Sequence, residues 1–110
     1  MSNNDFLNIC QLSDLIKKSL PREYIRLTAE VRQPKSSRGH MYLNLKDNGG
    51  IINSAIWKYN ITPQIENLKD GDKISVEGKL DFYDGNGKLS FIINKLVSVE
   101  GEGELNILYR

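Results

Sequence analysis

From Ile25 onward the apolar residues stop following a helical period and begin to alternate with polar ones, run after run. A period of two places successive side chains on opposite faces of an extended strand, so each such run describes a strand with one buried and one solvated face. In the first run Ile25, Leu27, Ala29 and Val31 alternate with Arg26, Thr28, Glu30 and Arg32. Met41, Leu43 and Leu45 then alternate with His40, Tyr42, Asn44 and Lys46. In the third run Ile52, Ser54 and Ile56 face one way, and Ile51, Asn53, Ala55 and Trp57 the other. Ile74, Val76, Gly78, Leu80 and Phe82 make the buried parity of a fourth, with Gly78 marking a bend or bulge. Leu89, Phe91 and Ile93 open a fifth that runs to about Val99.

The separators are turn chemistry. Residues 34–39 read as a polar, basic loop, Asp47-Asn48-Gly49-Gly50 as a hairpin turn, and Asp84-Gly85-Asn86-Gly87 as another. Two segments keep a helical period. Ile9, Leu12, Leu15, Ile16 and Leu20 predict an amphipathic helix ended by Pro21, laid on the sheet or over one end of a barrel. Between the third and fourth strands, Pro63 suits the first turn of a short helix that turns Ile61, Ile65 and Leu68 inward.

This order predicts a mainly β domain: a five-stranded OB-fold Greek-key barrel, with an N-terminal helix and a short helix between strands three and four. The competing architecture is an SH3-like barrel, and the helical insertion after the third strand favours the OB fold. Residues 1–8 read as a flexible tail, 9–100 as the barrel domain, and 101–110 as a linker toward a catalytic region outside the sequence.

Several chemistries lack their residues. Cys10 is the only cysteine and His40 the only histidine, which leaves neither an intrachain disulfide nor a Cys/His metal site and agrees with a reducing cytoplasm. No nucleophile, phosphate-loop or metalloprotease motif is present, so no catalytic residue, metal or cofactor is expected. No apolar run approaches the ~20 residues that cross a bilayer. The formal charge of +1 hides an asymmetry, +4 over residues 1–58 and −3 over 59–110, which places an anionic partner on the first half.

Aromatic residues on the polar parity give that partner a character. With Met41, Leu43 and Leu45 in the core, Tyr42 falls outside; with Ile52 and Ile56 in the core, so does Trp57. Exposed rings on a barrel face stack on bases while Lys and Arg follow the phosphates. The candidate nucleic-acid residues are Arg38, His40, Tyr42, Lys46, Trp57, Lys58 and Tyr83, the last at the fourth-strand hairpin, with Lys35 a further phosphate contact and Arg26 and Arg32 weaker ones. For Trp57 the alternative is capping the barrel end, and for His40 a structural hydrogen bond to the loop.

The segment 37–47, Ser-Arg-Gly-His-Met-Tyr-Leu-Asn-Leu-Lys-Asp, resembles the SGHWYFTLKD block of the exodeoxyribonuclease VII large subunit family. Ala55-Ile56-Trp57-Lys58, the Leu80–Ile93 hairpin with Tyr83 and Gly87, and Gly101-Glu102-Gly103-Glu104-Leu105 resemble further segments of that family, so the likeness covers Phe6 to Arg110. It implies an OB domain that presents single-stranded DNA to a separate exonuclease region, in a subunit that pairs with a small helical one. The family's catalytic residues lie downstream of the barrel, so none is carried over. This chain departs at Met41, Asn53 and Leu89, where the family has an aromatic, a basic residue and an aromatic. Outside the resemblance, a protein-interaction barrel and an RNA-binding barrel remain as alternatives.

Overall fold

The computed structural model describes residues 6–101 and 104–107; the expected tail and linker therefore fall partly outside the described residues. The chain runs α1 (Ile9–Ser19), β1 (Ile25–Ser37), β2 (His40–Asp47), β3 (Gly50–Ile56), a 3-10 turn (Lys58–Asn60), α2 (Pro63–Glu66), β4 (Lys73–Tyr83), β5 (Lys88–Gly101) and β6 (Glu104–Ile107).

The strands close on themselves. β3, β2, β1, β4 and β5 pair side by side and antiparallel, and β3 then pairs with β5 in parallel through Asn53–Ser90, Ser54–Phe91 and Ala55–Ile92. This is the five-stranded OB barrel that the alternation predicts. Its core is the predicted parity, with Val31, Leu45, Ile56, Ile74, Val76, Phe91 and Ile93 at most 1% exposed and Ile65 of α2 among them. Thr62 caps α2 by accepting from the Ile65 N–H at 3.3 Å, and Pro63 occupies its first turn.

A barrel this narrow needs its long strands to bend. β5 carries an extra residue opposite Ser75/Val76 and another opposite Glu77/Gly78. Gly78 sits where the strands press closest, with the Ile92 carbonyl filling the place of a β-carbon. β6, which the alternation does not announce, adds to the far end of β5 through Ser98–Ile107 and Gly101–Glu104.

Two local expectations are corrected. The basic segment 34–39 is mostly strand. β1 continues to Ser37, with a register shift between Arg32 and Lys35 where Gln33 adopts φ +52°. The displaced Gln33 N–H donates to Asp70 Oδ1 at 2.7 Å, so the bulge is held by a carboxylate from the α2–β4 loop. Only Arg38 and Gly39 remain as the turn, both at positive φ (56° and 86°), as a two-residue type I′ hairpin requires.

The second correction concerns α1. Asn8 and Gln11 form a capping box at its start, so the helix is well begun. Its apolar stripe is nonetheless not covered. Ser13 is the buried residue of α1 and Ile16 is half-buried, while Ile9, Leu12 and Leu15 are exposed. The helix touches the barrel along β4 and is tied to the β4–β5 hairpin by the Lys17–Asp84 ion pair at 3.1 Å. That pair holds Asp84 below the usual carboxylate range.

Candidate nucleic-acid interface

The outward face of β2 and β3 follows from their register. Tyr42 stands across from Ala55 and Met41 across from Ile56, so the next outward step brings His40 level with Trp57. The three rings meet edge to face: His40–Trp57 at 5.2 Å and 84°, Tyr42–Trp57 at 6.3 Å and 77°, His40–Tyr42 at 6.4 Å and 73°. These are favoured aromatic geometries. Ala55 shares the outward parity yet is 5% exposed. A side chain this small opposite Tyr42 leaves room for the Tyr42 and Trp57 rings to approach each other. The cluster stays accessible, with Tyr42 exposed and His40 and Trp57 half-buried.

Cations surround it. Arg38 stands in the turn before His40, Lys58 follows Trp57, and Lys35 pairs directly across from Tyr42 on β1; all three are exposed. Lys58 crosses the hairpin, its Cβ and Cδ 3.5 Å from where a β-carbon on Gly39 would stand. The Lys58 N–H donates to His40 Nδ1 at 3.0 Å. Among the described residues the salt bridges engage Lys17, Arg26 and Arg32, and none engages Lys35, Arg38, Lys46 or Lys58. Arg26 pairs with Glu77, and Arg32 with both Glu30 and Asp70, so each of these two already faces a carboxylate.

The seven sequence candidates therefore divide. Arg38, His40, Tyr42, Trp57 and Lys58 gather at the β1–β2 hairpin end of the barrel. Lys46 and Tyr83 do not join them. Lys46 pairs with Ile51, and Tyr83 pairs with Lys88, two residues before the Ser90 that meets Asn53. That level lies six residues back along β3 from Trp57, roughly 20 Å at the rise of an extended strand. There Tyr83 is 60% exposed, its ring lying over Gly85 of the hairpin turn. Between the two groups Asn44 and Asn53 pair across β2 and β3 on the same face.

The departures at Met41 and Leu89 also find their places. Met41 is buried in the core, and Leu89 lies on the projecting β4–β5 hairpin, away from the ring cluster. The sequence alternative for His40, a structural hydrogen bond, is realised with a different partner, the Lys58 N–H in place of the 34–39 segment. That bond joins residues 18 apart through a strand start and a 3-10 turn, and no periodicity signals such a contact.

Among the described residues no three His, Cys, Asp or Glu side chains gather as a metal site, and no helix is long and apolar enough to cross a membrane. Residues 7–97 match the family described as the OB-fold nucleic acid binding domain. Among curated relatives, the exodeoxyribonuclease 7 large subunit of Streptococcus equi subsp. zooepidemicus is 30% identical over 109 residues, covering 96% of this chain and 24% of that protein. The same subunit of Campylobacter fetus subsp. fetus is 30% identical over 94% of this chain and 27% of its own length. That of Nautilia profundicola is 33% identical over 90% and 23%. The chain thus spans about a quarter of the length of these relatives.

Of solved structures, asparaginyl-tRNA synthetase from Pyrococcus horikoshii, complexed with asparaginyl-adenylate, superposes with a TM-score of 0.60 at 20% identity, covering 70% of this chain and 19% of that one. A replication protein A heterotrimer bound to ssDNA superposes with a TM-score of 0.55 at 13% identity, covering 79% and 58%. At these identities the structural likeness speaks to the fold.

Proposed function

The chain belongs to the family of OB-fold nucleic acid binding domains and matches exodeoxyribonuclease 7 large subunits, and from that premise we propose that it binds single-stranded DNA on the outward face of β2 and β3. The observation that carries this reading is the cluster of His40, Tyr42 and Trp57 set among cations that no described carboxylate engages. Tyr42 and Trp57 offer the ring faces on which bases stack, for about 1–3 kcal/mol each. Arg38, Lys58 and Lys35 meet the phosphates beside them. Lys46 and Tyr83 extend the path toward the other end of the face, within reach of the ~4–16 nucleotides that one OB fold accommodates. The relatives' shared function as nuclease subunits favours DNA over RNA.

In this reading the barrel is the DNA-holding part of a longer subunit. Residues 9–100 are the binding domain, β6 adds to its edge, and the subunit continues from there toward a nuclease region that cuts single strands in the cytoplasm. The small nuclease subunit pairs with that region and leaves the barrel free. This chain binds and does not cleave.

Titration with labelled oligo-dT, followed through Trp57 fluorescence, tests the proposal. We expect saturable quenching that weakens steeply with added salt as counterions compete for the phosphates. Absence of binding at low salt and high protein concentration would refute it. Competition between DNA and RNA of equal sequence then ranks the two polymers.

A further inference from the structure

We infer that His40 is a positioning residue, holding the Trp57–Lys58 step in the geometry that receives the DNA strand; this rests on the function proposed above. The backbone at that step has a problem to solve. Trp57 precedes the 3-10 turn with extended dihedrals, φ −74° and ψ 152°, and makes no side-chain cap. An indole has no acceptor oxygen with which to cap. The Lys58 N–H, first in the turn, would be left without an intrahelical partner, as the leading amides of any helical turn are.

His40 supplies the missing acceptor from the neighbouring strand. Its Nδ1 lies 3.0 Å from the Lys58 nitrogen, and its ring meets the Trp57 ring at 5.2 Å. One imidazole thereby grips both sides of a single peptide unit. It fixes the amide of the residue that brings the charge and the ring of the residue that brings the stacking surface. Gly39, at φ +86°, turns the hairpin beside the aliphatic stem of Lys58. His40 itself is anchored by the first pair of the β1–β2 hairpin, Ser37–His40, so the grip is tied to the barrel.

Two substitutions separate this role from direct contact with DNA. His40→Phe keeps an aromatic ring beside Trp57 and removes the acceptor. His40→Asn removes the ring and keeps an acceptor oxygen near the position of Nδ1. Four quantities are read in each: hydrogen exchange of the Lys58 amide, the Trp57 emission maximum, the dissociation constant for oligo-dT, and exchange of the core amides of Val31 and Ile93 as a check on folding.

His40→Phe is expected to expose the Lys58 amide to exchange and to weaken oligo-dT binding about tenfold, the scale of one hydrogen bond lost. His40→Asn is expected to keep that amide protected and to bind within about threefold of the wild type, since a neutral acceptor replaces a neutral acceptor. The inference is overturned if His40→Phe binds as the wild type does. It is equally overturned if His40→Asn protects the amide and leaves the Trp57 emission maximum unchanged yet binds as poorly as His40→Phe, because the imidazole would then be touching DNA itself. If the wild type binds no oligo-dT, the single-strand reading fails on its own; the Lys58 amide and the Trp57 emission maximum in the two variants then decide whether His40 holds this step.

Discussion

A β-carbon on Gly78 would stand 2.9 Å from the carbonyl carbon of Ile92, and closer still to its oxygen. These two residues lie where β5 carries its extra residue and β4 bends to close the barrel. Neither partner is a side-chain tip that could swing aside, so any larger residue must push two strands apart. Gly78→Ala should therefore lower the stability by about 3 kcal/mol, at the upper end for overpacked sites. Urea unfolding measures it, and a loss below about 1 kcal/mol, ordinary for a point substitution, would contradict the account.

Ser54 makes the opposite prediction. It faces the core beside Leu43 and Phe91, is 3% exposed, and among the described residues its hydroxyl has no hydrogen-bond partner. A buried hydroxyl left unpaired costs about 1–3 kcal/mol. Ser54→Ala should raise stability by about 1 kcal/mol, because a small methyl replaces an orphaned polar group. A clear loss of stability in the same urea experiment would show that the hydroxyl is bonded after all.

Acid titration probes the two tethers at the barrel's edges. The Gln33 N–H, and after it the Arg32 guanidinium, hold the Asp70 carboxyl below its usual range; Lys17 does the same for Asp84. A carboxyl depressed in the folded state contributes stability above the ordinary carboxylate range near pH ~4, and that contribution is lost as pH falls through the lower folded value. Both groups are solvent-exposed, so the effect should fade in salt. Carboxyl NMR should find Asp70 and Asp84 titrating below the usual carboxylate range, and Asp84 moving back up toward it in Lys17→Met. Ordinary titration of Asp84 in the wild type would contradict the tether.

Within the proposed interface, rings and charges should separate by their salt response. Trp57→Ala should weaken oligo-dT binding by about 1–3 kcal/mol, the scale of one base stack, with the salt slope unchanged. Lys58→Ala should reduce the slope by roughly one phosphate's worth. Tyr83→Ala, roughly 20 Å away by strand rise, should matter for long oligonucleotides and little for short ones. Equal losses for short and long oligonucleotides in Tyr83→Ala would mean that the strand does not begin at the ring cluster.

Much of this was legible before the structure. Alternation identified Met41, Leu43 and Leu45 as core and so forced Tyr42 outward, and the same argument placed Trp57. It worked because a one-residue slip would have exposed every apolar side chain of those strands. Pro34 and its polar neighbours read as a loop in sequence because composition alone does not distinguish a bulged strand from a turn. Asp70, which holds that bulge at Gln33, lies 37 residues away in sequence. The α1 stripe shows another limit. A helical period reveals an apolar face but not whether anything covers it, and Ile9, Leu12 and Leu15 are left open. The grouping of Lys46 with Tyr83, apart from the rings, depends on the β3–β5 closure that no local pattern encodes.

The central claim is that single-stranded DNA lies on the outward face of β2 and β3, beginning at the ring cluster. Mapping nitrogen–proton shifts while oligo-dT is added at low salt tests it most directly. The largest changes should fall at the Trp57 indole N–H and at the amides of His40, Tyr42 and Lys58, with those of Ile9, Leu12 and Leu15 unmoved. Shifts concentrated on α1, with the Trp57 indole unchanged, would contradict it.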